Sequence, residues 1–425
     1  MKKALAIILA LVMVLALAAC GGGAAPAPTQ APAAPATDAP AAPAATDAPA
    51  APAATEEPAA PSGGDTPAAP AAVEWDGKSE PTHDNGNWAA AYAKIDQLAE
   101  DAKAYDGVAP IQTFTLACHD PVESAPGEFL TAWANAVKIA TEGQIQFNIG
   151  YSGTLSGTMA SLDDMKSGVV DFDWTLPCYF KGYMPLTNVI QNPALGIKDA
   201  VVGSNAMWEL YKTESAIQEE FADDGHCLFV WTNCTSPLMY KGDHEISSTS
   251  EIAGNIRGNN GPTQMFIQEV GANVQGCPIG DVYNNISTGV FSYVITDWHG
   301  ISSFKFYEVA NYYVDSNIGC SAYTLMANND IWAIVEGLGF ADEIESVSGD
   351  YLLDMVAIWN FWEAKGRYQA AQAGGDIFAP SDALAGELKT AYENVAKTWV
   401  NDQADPSLAQ SIYDHAVQLV AKYSA

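Results

Sequence analysis

An α/β fold of two lobes joined by a long helix, preceded by a structureless stalk, is what this 425-residue sequence predicts, and three observations predict it. Beyond residue 73, short apolar runs alternate with stretches of helical periodicity, the pattern of a sheet with helices on both faces. That alternation occurs twice, once from Thr113 and again from Cys227. Ahead of residue 73, from Gly21, the chain is almost entirely Ala, Pro and Thr and holds no aromatic residue, so it has nothing with which to build a core.

Lys2 and Lys3 precede an apolar run from Ala4 to Ala19 that ends in Leu17-Ala18-Ala19-Cys20. A basic start, an apolar middle and small residues before a cut read as a secretory signal over residues 1–19. The run is shorter than the roughly 20 residues a membrane-spanning helix needs. Leu-Ala-Ala-Cys resembles a bacterial lipobox, which implies cleavage before Cys20 and lipidation of its thiol; the alternative is an ordinary signal with a chance cysteine. Residues 20–73 form a linker in which Thr-Asp-Ala-Pro-Ala-Ala-Pro-Ala-Ala occurs at Thr37 to Ala45 and again at Thr46 to Ala54. Proline at this density favours extended polyproline II, about 3 Å per residue, so the stalk reaches up to ~150 Å. Thr/Pro richness also fits O-glycosylation, which spacing alone does not decide.

Residues 74–110 read as an N-terminal extension with one helix, Trp88 to Tyr105. The first lobe is expected over residues 111–233 with part of 322–361. It opens with a strand at Thr113 to Cys118, a helix from Pro126 to Thr141 and a strand from Ile145 to Ile149. A helix from Thr158 to Lys166 and a strand from Val169 to Trp174 follow. The second lobe is expected over 234–321 with part of 362–425. Its strands are Leu238 to Tyr240, Asn255 to Arg257, Val274 to Pro278 and Phe291 to Thr296, after a last first-lobe strand at Leu228 to Thr232. Helices are expected at Pro262 to Val270, Asp281 to Ser287, Ser303 to Tyr312, Asp350 to Ala373 and Ser381 to Lys397. The stretch from Leu352 to Ala373, with Trp359, Phe361 and Trp362, is the helix expected to cross between lobes and to place a ligand where strand carboxyl ends meet.

Composition excludes several classes of function. There are 18 Lys and Arg against 51 Asp and Glu, a formal charge of −33, which becomes −35 once Lys2 and Lys3 are cleaved away. Nucleic acid and anionic lipid both need a basic footprint, so neither suits the folded part. With 48% hydrophobic and 10% aromatic residues a sizeable core is available. The six cysteines after Cys20 are scattered; exported chains permit disulfides, six cysteines allow fifteen pairings, and the spacing selects none. No Cys-x-x-Cys or His–Cys spacing marks a zinc site, and whether another metal binds is left open.

No nucleophile elbow, His-Glu-x-x-His, P-loop or Gly-x-Gly-x-x-Gly run occurs, so the chain is read as a non-enzyme without a cofactor. The strand ends instead carry binding groups: His119, Tyr151, Asn233, Asn259, Thr296 and Asp297, with Trp174, Tyr179 and Trp298 as aromatic walls. Arg257 is the sharpest candidate, because it and Arg367 are the only arginines of the chain. A guanidinium meets a carboxylate through two parallel hydrogen bonds, and in so acidic a chain an anion needs a local cation. The competing readings are a structural ion pair for Arg257 and core positions for the tryptophans. Trp174 and Trp298 each follow an aspartate, an arrangement that also suits a cation.

Four segments resemble the solute receptors of TRAP (tripartite ATP-independent periplasmic) transporters: Phe114 to Glu128, Tyr151 to Tyr179, Ile252 to Val282 with Ile256-Arg257, and Gly289 to Tyr313. The resemblance spans about Thr113 to Lys422, in order. It implies a two-lobed periplasmic-binding-protein architecture that closes around an organic acid and delivers it to integral-membrane permease subunits. Arg257 falls where that family places its carboxylate-pairing arginine. A further arginine common in acid-sugar receptors is missing around Thr235 to Leu238, and Thr296-Asp297-Trp298 replaces an Asn- or Glu-bearing pattern. The expectation is a lipid-anchored extracytoplasmic receptor for a small carboxylate, with no nucleic-acid partner and with the membrane met only through Cys20. The alternatives are a receptor of the same fold for another transporter or sensor taking a cationic or aromatic ligand, and a surface enzyme.

Overall fold

Eleven strands in two sheets organise residues 75–425, the part of the chain that this computed structural model describes. The signal segment, Cys20 and the stalk expected from the sequence lie outside the described residues. The strands are β1 (Gln112–Ala117), β2 (Ile145–Gly150), β3 (Phe172–Thr175), β4 (His226–Thr232), β5 (Leu238–Tyr240) and β6 (Asn255–Arg257). They continue with β7 (Asn273–Gln275), β8 (Tyr293–Ile295), β9 (Tyr312–Val314), β10 (Ala322–Ala327) and β11 (Asp376–Phe378). One sheet has the order β2-β1-β3-β10-β4, the other β11-β9-β5-β8-β6-β7. In the first, β1 runs parallel to β2 and β3, while β10 is antiparallel to both β3 and β4.

The chain therefore leaves the first sheet after β4, builds most of the second, and returns as β10. The two crossings, residues 233–237 and 315–321, run side by side. Ser236 N donates to the Gly319 carbonyl at 3.0 Å, Ile318 N to that of Ser236 at 2.9 Å, and Ser321 N to Asn233 Oδ1 at 2.6 Å. Thr235 Oγ1 lies 2.8 Å from Asn317 Oδ1. A two-stranded ribbon of this kind holds both lobes in register while leaving few backbone dihedrals between them.

Two helices also cross. In Ile358–Gln372, Trp359 packs in the first core against Phe129 and Trp231, whereas Ala370 belongs to the second core. Asp382–Asp402 behaves likewise: Leu384 and Leu388 lie in the second core, Trp399 and Val400 in the first. The N-terminal extension docks outside, where Tyr92 Oη and Trp362 Nε1 both donate to Glu128 Oε2, at 2.8 and 3.0 Å.

Some elements differ from expectation for identifiable reasons. The expected helix at Ser303 to Tyr312 is displaced: the helix is Trp298–Ser303, capped by Asp297 Oδ1 accepting from Gly300 N at 3.2 Å. Lys305, at φ 56°, breaks it, and Tyr312 onward pairs with β5 and β11. The long helix from Asp350 is interrupted; Met355, Ile358 and Trp359 donate to carbonyls three residues back, the tighter 3₁₀ pattern, before regular helix resumes. Strand β10 has no alternation to read because all six of its residues are buried.

The lobe-crossing helix approaches the second lobe closely at Gly366. A Cβ there would sit 2.2 Å from the Trp298 carbonyl oxygen, which is backbone and has little freedom to move. Gly366→Ala is expected to destabilise the fold by about 2 kcal/mol through overpacking, read as a drop of several degrees in Tm. An unchanged Tm would mean that these helices do not touch there.

Candidate functional site

A cavity lies between the carboxyl ends of the two sheets. From the first sheet it takes His119 and Asp120 after β1, Trp174 on β3 and Tyr179 in the turn beyond. Asn233, Ser236 and Ser321 enter from the crossing ribbon, and Tyr323 from β10. The second sheet supplies Arg257 at the end of β6, Asn259, then Thr296, Asp297 and His299 after β8, with Phe304. Hydrogen bonds close the two sides over it. Asn260 N and Nδ2 donate to the Cys178 carbonyl at 3.1 and 2.9 Å, and Asn259 Nδ2 to Ser321 Oγ at 3.3 Å.

The two arginines have opposite surroundings. Arg367 is bound bidentately to Asp315, at 3.1 and 2.9 Å, and its Nε donates to Glu363 at 3.0 Å, so its charge is spent on the crossing helix. Arg257 is 2% exposed, yet no acid lies within ion-pair distance of it among the described residues. One guanidinium N–H reaches the Ile295 carbonyl at 3.3 Å, and Nε is buried without a partner. The Tyr179 ring, from the opposite lobe, faces it at 5.9 Å.

The two acids in the cavity are engaged with a histidine instead. His299 Nε2 lies 3.2 Å from Asp120 Oδ2 and its Nδ1 3.5 Å from Asp297 Oδ2. These are ion-pair distances without the alignment of hydrogen bonds. Burial alone would push the His299 imidazole down, but the flanking carboxylates lift it to about 9, so it is cationic at neutral pH. Burial likewise opposes ionisation of Asp297, yet His299, the Asn233 side chain and the Gly300 N–H hold it below its ordinary range. His119 goes the other way: burial drives it down to about 4, and its neutral ring lies 4.5 Å from the Trp174 indole. Among the described residues no three His, Cys, Asp or Glu side chains are grouped to hold a metal ion.

Of the ten ligand-binding candidates, eight line this cavity: Arg257, Trp174, Asp297, Thr296, Asn233, His119, Asn259 and Tyr179. Trp298 does not. One residue beyond the capping Asp297 the helix has turned away from the cavity, and its indole is fully buried against Tyr313 with the Arg367 guanidinium 4.7 Å over it. Tyr151 also stays outside, its hydroxyl 2.6 Å from Thr131 Oγ1 on the first-lobe helix. The aromatic wall consists instead of Trp174, Tyr179, Tyr323 and Phe304. Tyr323 escaped the sequence reading because β10 did, while Asp120 and His299 lie at strand ends that the sequence marks as carrying binding groups but were not among the ten candidates.

Beside Trp174, the Asp173 carboxyl is fully buried with neither oxygen hydrogen-bonded, and burial raises it to about 8. The unfolded carboxyl titrates near 3.8, so between these values the folded state holds the extra proton and stability from this group falls as pH rises. Asp173→Asn removes that loss. The variant is expected to gain on the parent by about 1–3 kcal/mol between about pH 5 and pH 8, since one pKa unit is worth about 1.4 kcal/mol. Denaturant melts showing the same gap at both pH values would contradict this.

Comparison with known proteins adds the lineage. A solute-binding protein of Chromohalobacter salexigens is 25% identical over 194 residues, 44% of this chain and 55% of that protein, so the chain matches about half of its length. Two solved structures share the fold. One is a TRAP solute-binding protein from an unidentified marine microbe, specific for aromatic acid ligands and in complex with 3-hydroxybenzoate; it is 23% identical, with 75% of this chain and 100% of that one covered at a TM-score of 0.67. The other, from Rhodoferax ferrireducens with copurified benzoate, is 24% identical, with 74% and 98% covered at a TM-score of 0.66. A family model described as bacterial extracellular solute-binding protein, family 7, matches residues 119–336, just over half the chain and every residue lining the cavity. The chain thus belongs to the family 7 extracellular solute-binding proteins, the TRAP solute receptors, which bind rather than transform what they hold.

Proposed function

We propose that this chain is a lipid-anchored extracytoplasmic receptor that captures a small organic carboxylate between its lobes and delivers it to a TRAP-type secondary transporter. The observation that carries the reading is Arg257: a buried guanidinium with no acid beside it, in a chain that pairs its other arginine twice. Leaving a charge buried and unpaired costs several kcal/mol, which a bound carboxylate offsets through two charge-assisted hydrogen bonds. Trp174, Tyr179, Tyr323 and Phe304 around it favour an apolar or aromatic remainder, in keeping with the benzoate and 3-hydroxybenzoate named with the two solved relatives. Thr296, Asn233 and Asn259 supply polar contacts at its edge.

Isothermal titration with benzoate and 3-hydroxybenzoate tests the carboxylate role. Arg257→Ala is expected to weaken binding at least 100-fold, about 3 kcal/mol. Arg257→Lys is expected to recover part of that, because an ammonium restores the charge but not the two-pronged geometry. Unchanged affinity in Arg257→Ala would remove this residue from the site.

Anchoring rests on Leu17-Ala18-Ala19-Cys20, and delivery to a permease on the family. In cells fed labelled palmitate, the parent chain is expected to carry label and to sediment with membranes. Cys20→Ala is expected to lose both. Label retained by the variant would rule out Cys20 as the lipid site.

A further inference from the structure

Taking Arg257 as the carboxylate's partner, we propose that the captured acid bears a second, hydrogen-bond-donating group, hydroxyl or amino, which docks on the free carboxylate oxygen of Asp297. Asp297 is 5% exposed and lines the cavity. Its two oxygens are used differently. Oδ1 accepts from Gly300 N at 3.2 Å and so caps the helix Trp298–Ser303. Oδ2 is buried with no hydrogen-bond partner, its nearest cation being the misaligned His299 ring at 3.5 Å. A carboxylate oxygen offers two acceptor sites, and leaving them empty in a buried place costs the desolvation of that group.

The polarity of the missing partner follows from the same geometry. Asp297 sits beside a cationic histidine and a helix N-terminus, both of which favour its ionised form, and an ionised carboxylate only accepts. What meets it must donate. A second carboxylate, a ketone or an ether oxygen would place acceptor against acceptor.

The placement suits one small molecule reaching both ends. β6 and β8 are neighbours, with Arg257 opposite Val294, and Asp297 follows three residues further along. At about 3.3 Å per residue along the strand and about 4.8 Å between strands, their Cα atoms are roughly 11 Å apart. Trp174 and Tyr179 line the same cavity, which suits an aromatic ring or short apolar body carrying both groups. Arg257 is the cavity's one cation without an acid beside it, so a second anionic group on the ligand would find no cation of its own.

Titration calorimetry on the full chain tests this with benzoate, the three hydroxybenzoate isomers, the three aminobenzoate isomers and isophthalate as probes. At least one donor-bearing acid is expected to bind tenfold or more tightly than benzoate, and isophthalate no more tightly than benzoate. Asp297→Asn keeps an oxygen for the helix cap while turning the free side into a donor. It is expected to abolish the preference, read as the ratio of the affinities of the donor-bearing acid and benzoate in the same variant. The inference fails if benzoate matches the best substituted acid in the parent chain, if isophthalate outbinds them all, or if the preference survives in Asp297→Asn. The parent panel alone decides the matter should the variant not fold. Failure of the underlying carboxylate reading looks different: no acid of the panel binds, or Arg257→Ala binds them as the parent does.

Discussion

A guanidinium buried without a counter-charge is the constraint on which the cavity depends. In low-dielectric surroundings such a charge is tolerable only if backbone carbonyls, aromatic faces or an incoming anion compensate it. Arg257 has one long contact to a carbonyl and one aromatic ring at the edge of cation–π range, and its Nε has nothing. The neighbouring acids do not relieve it, because His299 lies between Asp120 and Asp297 and draws both. The cavity is thereby kept neutral as a whole while one cation stays available. The two acids of the cavity are thus held at a histidine, apart from the one guanidinium that has no acid beside it.

The architecture serves this arrangement by bringing groups from both lobes to one place without burying them in either core. Asp120 and His299 belong to different lobes, as do Tyr179 and Arg257, so the trio and the aromatic face are complete only when the lobes meet. The crossing ribbon and the two crossing helices restrict how they meet. On the proposed reading, a ligand meets groups of both lobes in one cavity, so its binding favours whichever arrangement of the lobes makes those contacts.

Much of this was legible in the sequence where a pattern has a physical cause. Short strands such as Leu238–Tyr240 and Asn255–Arg257 fall where their apolar runs and bounding turn residues put them. Rarity pointed to Arg257: with two arginines in the chain, each has to be accounted for, and only contacts in space distinguish the one without an acid from the one held by Asp315 and Glu363. Trp298 was misread because adjacency in sequence to Asp297 says nothing about facing. A helix turns about 100° per residue, so the residue after a cap points elsewhere. Tyr323 was invisible for the opposite reason, its strand being buried on both faces and lacking any period. Asp120 and His299 are common residue types at unremarkable positions, and their joint role exists only across the cleft.

The most direct test of the central claim is a crystal structure of the chain with 3-hydroxybenzoate bound. The account predicts the ligand in the cavity between the sheets, with its carboxylate oxygens about 2.8 Å from two guanidinium nitrogens of Arg257. A ligand bound elsewhere, or one whose carboxylate meets the backbone or a lysine while Arg257 pairs with a protein acid, would contradict it.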